Sequence, residues 1–181
     1  MLPTGKEDIV KAYVLISKGN EQTTMENNIK FLNQLLESEP KPEESSLQAF
    51  LKLFCDDVLY WQTEVGEKLR LFHVIAKEAK HLEIIKHTFH YLHTFPDNLL
   101  VKELESVDED GNTALHIAAQ GNTAIFVDYL EVLRDENILH FDDIACLCYT
   151  FNKAQQSMYE IMDDNPFFTE YVEDYLTKYG V

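Results

Sequence analysis

Asp110-Gly111-Asn112-Thr113-Ala114-Leu115-His116-Ile117-Ala118-Ala119-Gln120 is the stretch that decides the fold. Around it, apolar residues recur at three- and four-residue steps, the period of an α-helix rather than of a strand. A short helix is expected at 114–121, then a turn and a longer helix at 124–134. Working outward, the same short–long arrangement is read at 71–79 and 82–94. Phe95-Pro96-Asp97-Asn98 is expected to turn the chain there. Downstream, another pair is expected at 141–152 and 154–163.

The flanks read the same way. A first helix is expected at 7–17 and is ended by Gly19-Asn20, residues that tolerate the left-handed backbone of a helix stop. Thr23 with Glu26 has the spacing of a capping box. The helix it opens carries Met25, Ile29, Leu32 and Leu36 on one stripe, and Pro40 and Pro42 end it. Ser45 with Gln48 opens the next helix, with Leu47, Phe50, Leu51, Phe54, Cys55 and Val58 inward. Asn165-Pro166 starts a last helix that runs to about Tyr179. Helix pairs in series are the mark of a helical solenoid, so an internal repeat is expected.

The stretch 110–120 strongly resembles the start of an ankyrin repeat. The resemblance gives each residue a task. Asp110-Gly111 makes the hairpin turn, and Thr113 caps the first helix and meets the imidazole of His116. Leu115 enters the core, and Ala118 and Ala119 let neighbouring helices approach. Asn122 stands where these repeats usually carry a helix-ending glycine. A weaker copy lies upstream, where Phe72-His73-Val74-Ile75-Ala76 aligns with Leu115-His116-Ile117-Ala118-Ala119. There Arg70 replaces Thr113 and Lys68 takes the turn position. The two histidines stand further apart than the ~33 residues of an ankyrin repeat. The surplus falls between His90 and Asp108, as a long second helix or an extended finger loop. The fold expected is therefore all-α, a short ankyrin-type solenoid with degenerate helical caps at both ends. It makes one domain, 1–181, with N-terminal helices at 1–64, two ankyrin-like repeats at 65–135 and a C-terminal cap at 136–181.

The chain has 181 residues, 45% of them hydrophobic, enough for one cored domain. Acidic residues outnumber basic ones 32 to 15, a formal charge of −17. That balance argues against nucleic acid and against anionic lipid, both of which need a basic surface. No apolar run is long enough to span a bilayer, and no signal peptide is read at the start. Three cysteines make no disulfide framework and suggest a reducing, cytoplasmic setting.

The function expected is protein–protein recognition without chemistry, by a monomer that needs no cofactor. The site expected is the acidic finger Asp108, Glu109, Asp110 and Asn112 with the exposed part of the short helix at Ile117, Gln120 and Gly121. Its partner should offer Lys or Arg. The resemblance extends to two styles of short ankyrin protein. One is the effector that intracellular bacteria deliver into a host cell; the other is the virus-encoded mimic of the inhibitor of NF-κB. Two further readings stand beside them: the N-terminal adaptor of a longer protein, and a hydrolase or transferase using Cys55 or Cys146 with a histidine. Against the enzyme, no glycine-framed nucleophile, P-loop or dinucleotide fingerprint is present. Glu83, His87 and His90 share a helix face, but a zinc site needs a fourth ligand and an ordered outer shell. Cys146 and Cys148 point apart on a helix, so they are read as one exposed and one core residue, not as half a chelate.

Overall fold

The computed structural model describes residues 21–39, 41–60, 71–95, 99–121 and 141–162, with Tyr129, Val132, Asn137 and Thr177. All regular structure among them is helical. The expected helix at 7–17, the turn region before Leu71, residues 96–98, and all but single residues of 124–134 and 165–179 lie outside the described residues.

Helix α1 (Glu21–Leu36) buries Met25, Ile29, Leu32 and Leu36, the stripe read from the sequence. It is already helical at Glu21, so Thr23 is inside it and is not its cap. Helix α2 (Glu44–Tyr60) likewise starts ahead of the expected Ser45 cap. The N–H groups of Ser46 and Leu47 reach the Glu43 carbonyl at 2.9 and 3.2 Å, and Gln48 bonds to Glu44 instead of closing a capping box. Leu47, Phe50, Leu51, Phe54, Cys55 and Val58 are all buried.

Helix α3 (Leu71–Glu78) is buried from Leu71 through Ala76. Over that stretch no face is left to solvent, and only the last turn, with Lys77, reaches the surface. Helix α4 (Leu82–His93) is one-sided, with Ile84, Ile85, Thr88, Phe89 and Leu92 inward. The buried Thr88 hydroxyl donates to the Ile84 carbonyl at 2.7 Å, which spares it a desolvation cost. Next comes a helix that the sequence reading lacked. Helix α5 (Leu99–Glu105) occupies the stretch expected to be either a longer second helix or an extended finger loop, and it buries Leu100, Glu103 and Leu104. Helix α6 (Ala114–Gly121) holds the decisive stretch. Helix α7 (Phe141–Cys148) stops short of residue 152, and helix α8 (Met158–Met162) starts later than 154. Residues 152–156 form a turn between them.

Helices α1, α3, α6 and α8 follow one another: α1 packs on α3, α3 on α6, and α6 on α8. Helix α2 packs on α1 and α4, and α5 packs on α3 and α4. Between the layers, the rings of Phe72 and Phe89 stack with centroids 4.6 Å apart, and Tyr129 meets both edge-on. Offset and edge-to-face rings favour such contacts beyond simple burial. Asn33 ties α1 to the end of α3. Its amide donates to the Glu78 carbonyl at 2.7 Å and its oxygen accepts the Lys80 N–H at 2.9 Å.

A structural repeat runs through the second half, with a step of 44 residues. Leu100, Glu103 and Leu104 are buried, as are their counterparts Ile144, Leu147 and Cys148. Lys102, Glu105 and Val107 are exposed, as are Cys146, Tyr149 and Phe151. The Ser106 N–H bonds to Glu103 and the Thr150 N–H to Leu147, both at 3.4 Å. The turns after them match as well. Asp108 N–H reaches the Asn112 carbonyl at 2.9 Å, and Asn152 N–H reaches that of Gln156 at 3.0 Å. In each turn the side-chain oxygen of the first residue accepts the N–H of the fifth, at 2.8 and 3.0 Å. Helix α5 stands before the turn 108–112, and helix α7 before the turn 152–156. The second of these turns lies within the stretch 136–181.

Gly111 and Gln155 hold the same left-handed place in the two turns, with φ of 81° and 60°. A Cβ on Gly111 would come within 3.0 Å of the Lys153 nitrogen. Gly111→Ala should therefore lower unfolding free energy by about 1–2 kcal/mol, whereas Gln155→Gly should leave it unchanged or raise it by up to ~1 kcal/mol. Urea unfolding of both variants measures this, and equal losses would contradict the equivalence of the turns.

Candidate functional site: the turn edge

The turns 108–112 and 152–156 stand side by side. The Lys153 N–H donates to the Asp110 carbonyl at 2.9 Å, and the Lys153 ammonium donates to the Glu109 carbonyl at 2.6 Å. Deeper in, the Asn152 amide donates to the Asn112 side-chain oxygen at 2.9 Å.

Two imidazoles brace this edge from behind. His116 lies fully buried at the start of α6. Its Nδ1 faces the Thr113 N–H at 3.1 Å and the Thr113 hydroxyl at 2.8 Å. An Nδ1 that accepts from a backbone N–H carries no proton, so Nε2 carries it and donates to the Gln156 carbonyl at 3.2 Å. The His73 Nε2 lies 2.7 Å from the Asn112 carbonyl and donates to it. Each histidine thus holds the turn that follows its own unit. At the corresponding place in α8 stands Glu160, whose carboxylate accepts the Ser157 N–H. Hydrogen bonds from the Ser157 hydroxyl and then from its N–H hold the exposed Glu160 below the ordinary glutamate range.

Burial pushes the His116 pKa below its ordinary value, against the opposing pull of the Gln156 and Thr150 carbonyls and the Asp108 charge. For Asp108, burial works upward, but hydrogen bonds from Asn112 and Asp110, with His73 nearby, hold it below the usual carboxylate range.

The seven expected site residues divide into two groups. Glu109, Asp110, Gln120 and Gly121 are exposed. Ile117 is half-buried against the core. Asp108 turns back into its own loop, accepting the N–H groups of Asp110 and Asn112 at 2.9 and 2.8 Å. Asn112 corrects the expectation of a surface contact. It is only 7% exposed: its side-chain oxygen and backbone carbonyl accept from Asn152 and His73 across the joint, while its amide donates to Asp108 in its own turn. Reading the sequence missed Lys153, Asn152 and Gln156. No glycine marks that turn, although Ser157 with Glu160 has the capping-box spacing that could have revealed it.

Elsewhere, Leu51, Lys52, His87, His90 and Tyr91 line an open hollow of about 270 Å³ between α2 and α4. Burial, opposed by Glu44, lowers the His87 pKa. Among the described residues, no three metal-binding side chains are placed together, Glu83, His87 and His90 included. No helix among them is long and apolar enough to cross a membrane. Comparison with family models, curated proteins and solved structures returned no match.

A histidine with a depressed folded pKa takes up a proton more readily in the unfolded chain. The stability it contributes is whole above the unfolded value of about 6.5 and is lost as pH falls through the folded value. Urea unfolding between pH 8 and 5 should show this loss in the wild type. His116→Gln should cost about 1–3 kcal/mol at pH 8 and show a shallower slope, since other histidines titrate equally in both proteins. Parallel pH profiles would rule out this role for His116.

Proposed function

We propose that the chain is a non-catalytic protein-recognition module, a short ankyrin-type solenoid closed by helical caps, acting as an effector or adaptor. The observation that carries the reading is the pair of matched turns, each held by an imidazole from the preceding unit. A row of rigid turns is a preorganised surface, and preorganisation lowers the ordering cost of binding. The charge pattern supports a partner rich in Lys or Arg. Glu109 and Asp110 project from the first turn, and the chain as a whole carries −17. Complementary charge would speed encounter more than it would tighten the complex.

The competing enzyme reading needs an activated thiol. Burial pushes Cys55 far above the ordinary thiol range and Cys148 up to about 12, whereas a nucleophile needs its pKa lowered. Cys146 is exposed. At neutral pH the native protein should react with a thiol reagent once, at Cys146. Cys55 and Cys148 should react only after unfolding; rapid modification of Cys55 would revive the enzyme reading.

Affinity capture from cell extract tests the recognition surface directly. Glu109→Lys with Asp110→Lys should keep the helical circular-dichroism signal and lose the partner that the wild type retains. Equal recovery of that partner would remove the turn edge from the interface.

A further inference from the structure

Resting on the recognition reading above, we infer that Val107 and Phe151 form a two-point apolar seat for an extended partner segment carrying apolar residues at positions i and i+3, with Lys or Arg between and beside them. Val107 is 46% exposed and Phe151 57%. A single exposed apolar residue is ordinary. Here the two occupy the same place, one residue ahead of the turn, in successive copies of the repeat. Their surroundings match too: Ser106 and Thr150, one residue earlier, each turn the hydroxyl back to a carbonyl of the preceding helix, at 2.8 and 2.9 Å.

The repeat step sets the spacing of the occupant. Helices α6 and α8 pack directly, and packed helices lie about 8–10 Å apart. A polyproline-type chain rises ~3.1 Å per residue with three residues per turn, so i and i+3 face the same side about 9 Å apart. A β-strand brings i and i+2 to one side at only ~6.7 Å. The geometry therefore favours a polyproline-like segment. Charge sets the rest. Glu105, Glu109 and Asp110 are exposed beside Val107. Lys153, beside Phe151, has its ammonium drawn onto the Glu109 carbonyl. Tyr149, exposed and paired with the Tyr159 ring at 5.1 Å, extends the apolar surface at the Phe151 end.

The test uses a labelled peptide reading Lys-Leu-Lys-Pro-Leu-Lys, its twin with both leucines replaced by serine, and a version with the leucines two apart. Fluorescence polarisation with the full chain should show the first binding about tenfold tighter than either control. Val107→Ser with Phe151→Ser should erase that preference and leave the weak, salt-sensitive attraction common to all three. Glu109→Lys with Asp110→Lys should weaken all three peptides. No leucine preference in the wild type, or one that survives Val107→Ser/Phe151→Ser, overturns the inference. So does a dimer in light scattering that this double variant dissolves, since the seat would then hold a second copy. If capture of the partner is lost with the lysine pair but kept with the serine pair, recognition stands and the apolar seat falls. If neither pair affects capture, the recognition surface itself is misplaced.

Discussion

The joint between units is the constraint on which the second half of this structure depends. A turn at the edge of a helical stack exposes backbone groups that no helix of its own can satisfy. The protein meets that need from the unit before. His73 reaches forward to Asn112, and His116 reaches forward to Gln156. Asn112 and Asn152 then bond to each other across the two turns. Each bond contributes only about 1 kcal/mol by itself, but together they allow one relative placement of the turns. The edge stands on a frame whose joints are hydrogen-bonded and largely buried.

That frame also sorts the acidic residues by task. The run from Glu103 to Asp110 reads as one negative finger, but the protein divides it. Glu103 faces inward on α5, and Asp108 is consumed by the N–H groups of its own turn. Only Glu105, Glu109 and Asp110 remain exposed there. Charge count alone overstates the negative potential of this edge, and Lys153 lowers it further.

Much of the helical content was legible because apolar spacing reports which face of a helix is buried. The stripes on α1 and α2, the short α3 and α6, and the inward Cys55 and Cys148 all agree with that reading. The caps were less legible: Thr23 and Ser45 have the right spacing, yet the helices begin before them. Helix α5 was missed because its seven residues are too short to show a period, and its acids suggest a loop. The turn at 152–156 was missed because Gln155, not glycine, takes the left-handed position. The equivalence of Val107 and Phe151 was out of reach for the same reason, since it depends on aligning two turns whose residues differ.

By itself, the sequence determined the helical character of the described residues, the inward faces of the main helices, and a Thr113–His116 pairing written into one short stretch. Those properties are local: they depend on side-chain period and on groups three residues apart. The tertiary structure alone decided which turn each histidine serves, which acids stay in water, and that Asn112 belongs to a joint and not to a surface. Those outcomes depend on partners some 40 residues distant, brought close only when the helices stack.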